Sequence, residues 1–180
     1  MKASDWSLLL GAVLALKGLL ALLAAPLAAR LAQRFPRDVW TGRVLSAAAW
    51  AWAGWALYTM PIEFLTPVRP YIPFAALAAI PLTWIWMPDL LSCRAAGGLL
   101  TLFPCPLLLD VRFHPSPWRL ALVSFVYLCI VAGMILLLYP WYLRRALAFL
   151  AGHPARMRAG GAATLLLGAG FITLGLTVLR

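Results

Sequence analysis

Long apolar runs separated by short basic segments dominate the pattern of this chain. A helix needs about 20 apolar residues to cross the ~30 Å hydrocarbon layer of a bilayer. We therefore predict an all-α, polytopic membrane bundle of about six transmembrane helices, forming a single domain over residues 1–180. The six predicted spans are residues 6–25, 44–60, 71–87, 90–109, 120–139 and 159–179.

Prolines interrupt the third and fourth predicted spans. Pro73 and Pro81 fall in the third span, and Pro104 and Pro106 fall near the end of the fourth. Proline lacks a backbone donor and clashes with the preceding helical turn. We expect these two helices to be kinked or partly re-entrant.

A weak internal repeat relates the start of the chain to its end. Pro26 precedes Arg30 by the same step that separates Pro140 from Arg144. This recurrence favours three helical hairpins in one orientation, each with an arginine-bearing turn. Glycine and proline are common at turns without any repeat, so chance recurrence is the alternative.

The composition excludes an ordinary soluble domain. Hydrophobic residues make up 64% of the chain and charged residues 11%, whereas soluble domains carry about 25% charged residues. The net charge of +10 comes from cations that cluster between apolar runs, which disfavours nucleic-acid binding.

The distribution of arginines predicts the orientation of the chain. The turns after the first, third and fifth spans are richer in arginine than the other side, so we place them in the cytoplasm. We expect a bacterial inner-membrane protein with both termini facing the periplasm. The turns attract anionic lipid, or alternatively an acidic partner. These basic turns contain Arg30, Arg34, Arg37, Arg144, Arg145, Arg156 and Arg158.

Lys17 is a charged residue in the middle of the first span. On a straight helix it would lie about 18 Å from Asp5 and about 19 Å from Arg30, near the membrane centre. A lysine there costs about 2.5–3.5 kcal/mol of insertion free energy. It either snorkels or bonds to another helix, or it forms an ion, proton or anionic-ligand site. Because Gly18 is adjacent, we expect Lys17 to point near a helix contact.

Five tryptophans lie within the second and third spans. Trp50, Trp52 and Trp55 are surrounded by alanines, and Trp84 and Trp86 follow in the next span. Their rings either fill gaps between helices or form a wall for a flat apolar ligand such as a quinone, a pigment or a lipid tail.

Small residues recur every seven positions in the first and last spans. Seven residues make two helical turns, so each set forms a flat stripe along one helix face. Such stripes let helices approach closely, which is a main source of association in lipid. The seam glycines are Gly11 and Gly18 in the first span, and Gly161, Gly168 and Gly175 in the last.

The chain shows no arrangement typical of an active site or cofactor site. It contains no Gly-rich phosphate loop, H-E-x-x-H or G-x-S-x-G motif. Asp110 and His114 could share a helix face, but a metal site needs three or four ligands. We predict no catalytic residue, no metal site and no cofactor.

These features favour a non-enzymatic membrane protein that acts by helix contacts. The leading hypothesis is an accessory or assembly subunit that contacts membrane lipid and other membrane subunits, or a second copy of itself. The first alternative is a small transporter or channel that uses Lys17 and the proline-broken helices. The second alternative is a lipid- or quinone-handling membrane enzyme, based on the tryptophans.

Overall fold

Every regular element in the described part of the chain is helical. A computed structural model describes residues 3–112 and 114–178. The all-helical prediction is confirmed over these residues. The helices are α1 (Ala3–Leu23), α2 (Ala25–Arg34), α3 (Val39–Thr59), α4 (Ile72–Trp86), α5 (Leu91–Leu102), α6 (Pro104–Val111), α7 (Arg119–Leu138), α8 (Trp141–Ala151) and α9 (Pro154–Thr177). Short 3₁₀ turns form at Phe35–Arg37, Glu63–Leu65 and Arg69–Tyr71.

Four helical segments in the described residues are long and apolar enough to cross a membrane. They are α1, α7, α9 and the consecutive pair α5 and α6, which together run over Leu91–Val111. Helix α3 is as long as α1, with 21 residues, but its mean hydropathy is lower and it is not among these four segments. Helix α4 has 15 residues and is too short. Length and composition thus identify four spans among these helices.

Two helix boundaries, one between α5 and α6 and one between α1 and α2, lie next to prolines. Helix α5 ends at Leu102 and α6 begins at Pro104, at the position where the sequence predicts a kink in the fourth span. Pro81 lies inside α4. A second break occurs at Ala24, which has a non-helical ψ of 48° and precedes Pro26 in the first turn of α2. The prolines remove backbone donors that a continuous helix would use.

The helices alternate in direction along the bundle. Helix α1 runs antiparallel to α9, α3 antiparallel to α4, and α5 antiparallel to α7, whereas α3 and α5 run parallel. The most extensive contact joins α1 to α9, not α1 to α3, so the packing does not follow the predicted hairpins of consecutive spans. Two contacts define the direction of each pair. They are Gly11–Gly168 and Gly18–Gly161 for α1 and α9, and Gly54–Ala76 and Ser46–Trp84 for α3 and α4. For α5 and α7 they are Gly97–Gly133 and Arg94–Leu137, and for α3 and α5 they are Gly42–Ser92 and Ala49–Gly98.

These directions collect the basic turns at one end of the bundle. Helix α2 packs on α8 and α9, and the Phe35–Arg37 turn packs on α5. We call this the basic end, defined by the seven arginines Arg30, Arg34, Arg37, Arg144, Arg145, Arg156 and Arg158. All seven side chains are exposed.

The buried core lies toward the opposite end of the bundle. There Leu107 of α6, and Leu122 and Val126 of α7, are fully buried against α1 and Phe171 of α9. The Ser7 hydroxyl donates a 2.7 Å hydrogen bond to the carbonyl oxygen of Phe171. Most of the surface of the four candidate spans is nevertheless uncovered, since only 17–39% of each is buried. The exposed apolar faces need lipid or other helices to cover them.

Candidate functional site

The seam glycines of α1 and α9 lie against each other. A Cβ atom on Gly18 would lie 2.7 Å from the carbonyl oxygen of Gly161. A Cβ atom on Gly175 would lie 3.2 Å from the carbonyl oxygen of Ser4. Glycine faces glycine at the Gly18 level and serine at the Gly175 level, and at both levels the absence of a glycine side chain lets the backbones approach within contact distance.

Lys17 is exposed, directly beside the buried Gly18. Helix α1 ends at Leu23, so Lys17 lies about 9 Å along the axis from the end of its helix. Asp5 and Lys17 lie in the same unbroken helix, whereas the break at Ala24 separates Lys17 from Arg30, so the straight-helix distance applies to Asp5 and not to Arg30. Lys17 forms no hydrogen bond or ion pair with the described residues. A lysine side chain directed toward the basic end would cover most of the distance to the end of its helix, as in snorkelling.

The five predicted tryptophans have different surroundings. Trp84 is held in place, since its indole N–H donates a 2.9 Å hydrogen bond to the Ser46 hydroxyl and the Arg43 guanidinium lies 5.5 Å from its ring centre. Trp86 is 74% exposed. Trp50 and Trp55 line different grooves, and Trp52 is half-buried.

Trp50 belongs to an apolar groove formed by α3, α4, α5 and α7. The cavity has a volume of about 510 Å³. Its floor is one stripe of α5 that includes Leu91, Ala95 and Gly98, spaced by three or four residues so that they share a helix face. Leu137 of α7 contributes to the opposite wall. This groove is a concave, largely apolar surface with a single charged residue, Arg94.

Arg94 lies at the basic-end mouth of this groove, and we name the cavity the Arg94 groove. Its Nη1 atom donates a 3.0 Å hydrogen bond to the carbonyl oxygen of Leu137. That carbonyl is in the last turn of α7, where backbone acceptors lack helical partners. The Nε atom of Arg94 is buried and has no hydrogen-bond partner among the described residues. The arrangement combines an acyl-sized apolar space with an unsatisfied cationic donor.

Arg94 is not among the candidate site residues that the sequence predicts. A usable signal was present, because Arg94 is a lone charged residue in the RAAGGLL stretch of the fourth predicted span. The contact with α7 was not visible from the sequence, because it depends on the crossing of two separate helices.

The arginines of the basic end surround an acidic helix cap. Arg30, Arg34 and Arg37 form an open cleft beside Asp38, the N-cap residue of α3. The Thr41 hydroxyl and, more weakly, the backbone N–H groups of Trp40 and Thr41 donate hydrogen bonds to the Asp38 carboxylate and hold its pKa below the usual range. The cleft therefore contains an ionised carboxylate at neutral pH among exposed cations.

Arg156, at the start of α9, lies over an aromatic ring of the basic end. Its Cζ atom is 4.3 Å from the centre of the Phe149 ring of α8. Together with the packing of α2 on α8, this contact joins the two basic turns into one surface. Such a surface suits anionic lipid headgroups.

The described residues contain no cluster of side chains that could bind a metal ion. Within residues 3–112 and 114–178, no three His, Cys, Asp or Glu side chains lie close enough together to hold a metal ion. Asp110 instead accepts a 2.7 Å hydrogen bond from the indole N–H of Trp6. This bond connects the start of α1 to α6.

Comparison with known proteins assigns no family to the chain. No family model matches it, and neither the curated proteins nor the solved structures include one that is detectably similar.

Proposed function

We propose that this protein is a non-enzymatic integral membrane protein that acts through helix contacts, as an accessory or assembly subunit of a larger membrane complex. The observation that carries the proposal is helix α4. Among the other described helices, its extensive contact is with α3 alone. Phe74, Leu77 and Ile85 of α4 are 71%, 65% and 73% exposed.

The length of α4 distinguishes a partner surface from an ordinary lipid-facing surface. A helix of 15 residues is about 22 Å long, shorter than the ~30 Å hydrocarbon layer. A short span leaves a hydrophobic mismatch, and association with neighbouring helices is one way to relieve it. An edge helix of this kind gains more from a protein neighbour than a full-length span does.

The proposed topology has six crossings with the basic end in the cytoplasm of a bacterial cell. The antiparallel packing of α3 and α4 and the parallel packing of α3 and α5 support two crossings in addition to the four long apolar spans. The gathering of seven exposed arginines at one end supports the orientation, because arginine-rich turns remain in the cytoplasm. Both termini then face the periplasm of the inner membrane.

Purification from the native membrane in mild detergent tests the proposed function. We expect a constant set of other membrane subunits, or a second copy of this chain, to purify with the wild-type protein. The double variant Phe74→Ala/Leu77→Ala should lose these companions. Leu128→Ala on α7 is the matched control, because Leu128 is 68% exposed and far from α4 along the chain. A protein that purifies alone, or equal loss in the control, would contradict the proposal.

A small transporter is the second candidate, and the interruption between α5 and α6 favours it. Broken helices often line substrate sites in transporters, because their free backbone groups bind ions or polar groups. The test is proton flux into sealed liposomes that contain the purified chain. Flux that Lys17→Ala abolishes would support transport, and the absence of flux would leave the contact function as the better proposal.

A further inference from the structure

We propose that the Arg94 groove binds one acyl chain of an anionic phospholipid from the basic-end leaflet, with the lipid phosphate on Arg94. This inference does not depend on the accessory function. It rests on three features of the groove: its length, its single charge and the small residues that keep it open.

The length of the groove matches one leaflet of a bilayer. Its α5 floor runs from Leu91 at the basic end to Leu102 near the middle of the bundle. Eleven helical steps correspond to about 16 Å, and half of the ~30 Å hydrocarbon layer is about 15 Å. A lipid chain that enters beside Leu91 would therefore end where the groove ends.

The charge of the groove favours an anionic headgroup over a neutral ligand such as a quinone. Arg94 uses Nη1 on the Leu137 carbonyl, and its buried Nε has no partner among the described residues. A guanidinium presents five N–H donors in a planar fork that suits phosphate.

Two adjacent glycines of α5 show that the open space is separate from the helix contact. A Cβ atom on Gly97 would lie 2.8 Å from the carbonyl oxygen of Gly133, so Gly97 is needed for the packing of α5 on α7. A Cβ atom on Gly98 would meet only the Ala49 Cβ at 3.7 Å and a Leu137 methyl at 3.9 Å, both ordinary contacts. Larger side chains at Gly98 would project into the groove without forcing the helices apart.

Native mass spectrometry of the full chain tests the proposal. The purified protein is incubated in detergent with equal amounts of phosphatidylglycerol and diacylglycerol that carry identical acyl chains, so that only one of the two lipids has a phosphate. We expect the wild type to retain one phosphatidylglycerol with about a tenfold preference, the scale of one charge-assisted hydrogen bond. Arg94→Gln should remove this preference, and Gly98→Leu should remove the retained lipid of either kind.

Arg145→Ala is the matched control for general attraction to the basic end. Arg145 is exposed at that end and does not line the groove, so its loss should leave the retained lipid unchanged. An equal loss of preference in Arg145→Ala and Arg94→Gln would overturn the proposal. An unchanged preference in Arg94→Gln would also overturn it.

A second variant that fills the Arg94 groove with a larger side chain keeps the test decisive if Gly98→Leu fails to fold. Ala49→Leu enters the same space from the α3 wall, opposite Gly98. Circular dichroism and the thermal midpoint identify the filled variants that are folded. Retention of phosphatidylglycerol at the wild-type level by a folded filled variant overturns the assignment of the groove, and its loss supports it.

Discussion

Gly11 of α1 and Gly168 of α9 are in backbone-to-backbone contact. A Cβ atom on Gly11 would lie 2.8 Å from the carbonyl oxygen of Gly168, and a Cβ atom on Gly168 would lie 2.7 Å from the carbonyl oxygen of Gly11. The first and last long helices therefore meet along a surface that admits only glycine at these levels. In lipid, where the hydrophobic effect does not drive helices together, such close packing is a main source of stability.

Gly168→Ala should destabilise the bundle by about 1–3 kcal/mol, the usual cost of overpacking a close contact. The added methyl group would lie 2.6 Å from the backbone nitrogen of Ala15, so one helix must move. Equilibrium unfolding in mixed detergent, followed by circular dichroism, measures the free energy of unfolding.

Gly170→Ala is the control for this prediction. No atom outside its own helical turn lies within 4 Å of a Cβ atom placed on Gly170. We expect the stability to stay the same or to increase by at most about 1 kcal/mol, since alanine favours the helix over glycine. Equal destabilisation by the two alanines would contradict the packing role of Gly168.

Glu63→Cys should react with a membrane-impermeant maleimide from outside intact cells if α3 and α4 both cross the membrane. Arg34→Cys should react only after permeabilisation. Both sites are exposed, and the native cysteines are first replaced by alanine. If only the four long apolar spans cross the membrane, residues 34 and 63 both lie on the cytoplasmic side. Neither cysteine then reacts until the cells are permeabilised.

Lys17→Leu should alter assembly with other subunits without altering the fold of the chain itself. Lys17 is exposed and forms no hydrogen bond with the described residues, so the free energy of unfolding should change by no more than about 0.5 kcal/mol. The amounts of co-purified subunits report on assembly. Unchanged assembly and unchanged activity would exclude a role for Lys17 in helix contacts.

Acid should remove the contribution that the ionised Asp38 carboxylate, the N-cap of α3, makes to the stability of the folded state. Because the Thr41 hydrogen bond lowers the pKa of the folded-state carboxylate, the contribution is present above the unfolded pKa of about 3.9 and is lost as the pH falls through the lower folded value. The thermal midpoints of the wild type and Asp38→Asn, measured from pH 7 downward, should differ most at neutral pH and converge in acid. Thr41→Val should reduce the difference, whereas parallel profiles for the wild type and Asp38→Asn would contradict this account.

The sequence alone determined the helical class and the long apolar spans, and its prolines indicated one helix boundary. These features depend on local composition, since an apolar run of sufficient length in lipid has to satisfy its backbone as a helix. The boundary between α5 and α6 at Phe103 follows from Pro104 in the same way, because proline lacks the backbone donor of a continuous helix. The spacing of Gly161, Gly168 and Gly175 likewise indicated a flat helix face before its partner was known.

Only the tertiary structure decided which faces meet. It joined Gly18 to Gly161, brought Arg94 to the carbonyl oxygen of Leu137, and placed Trp50 and Trp55 in separate grooves. The periodicity of a helix shows which of its faces is flat, apolar or charged. It contains no information about which other helix covers that face, because that choice depends on the simultaneous packing of all the helices in the bundle.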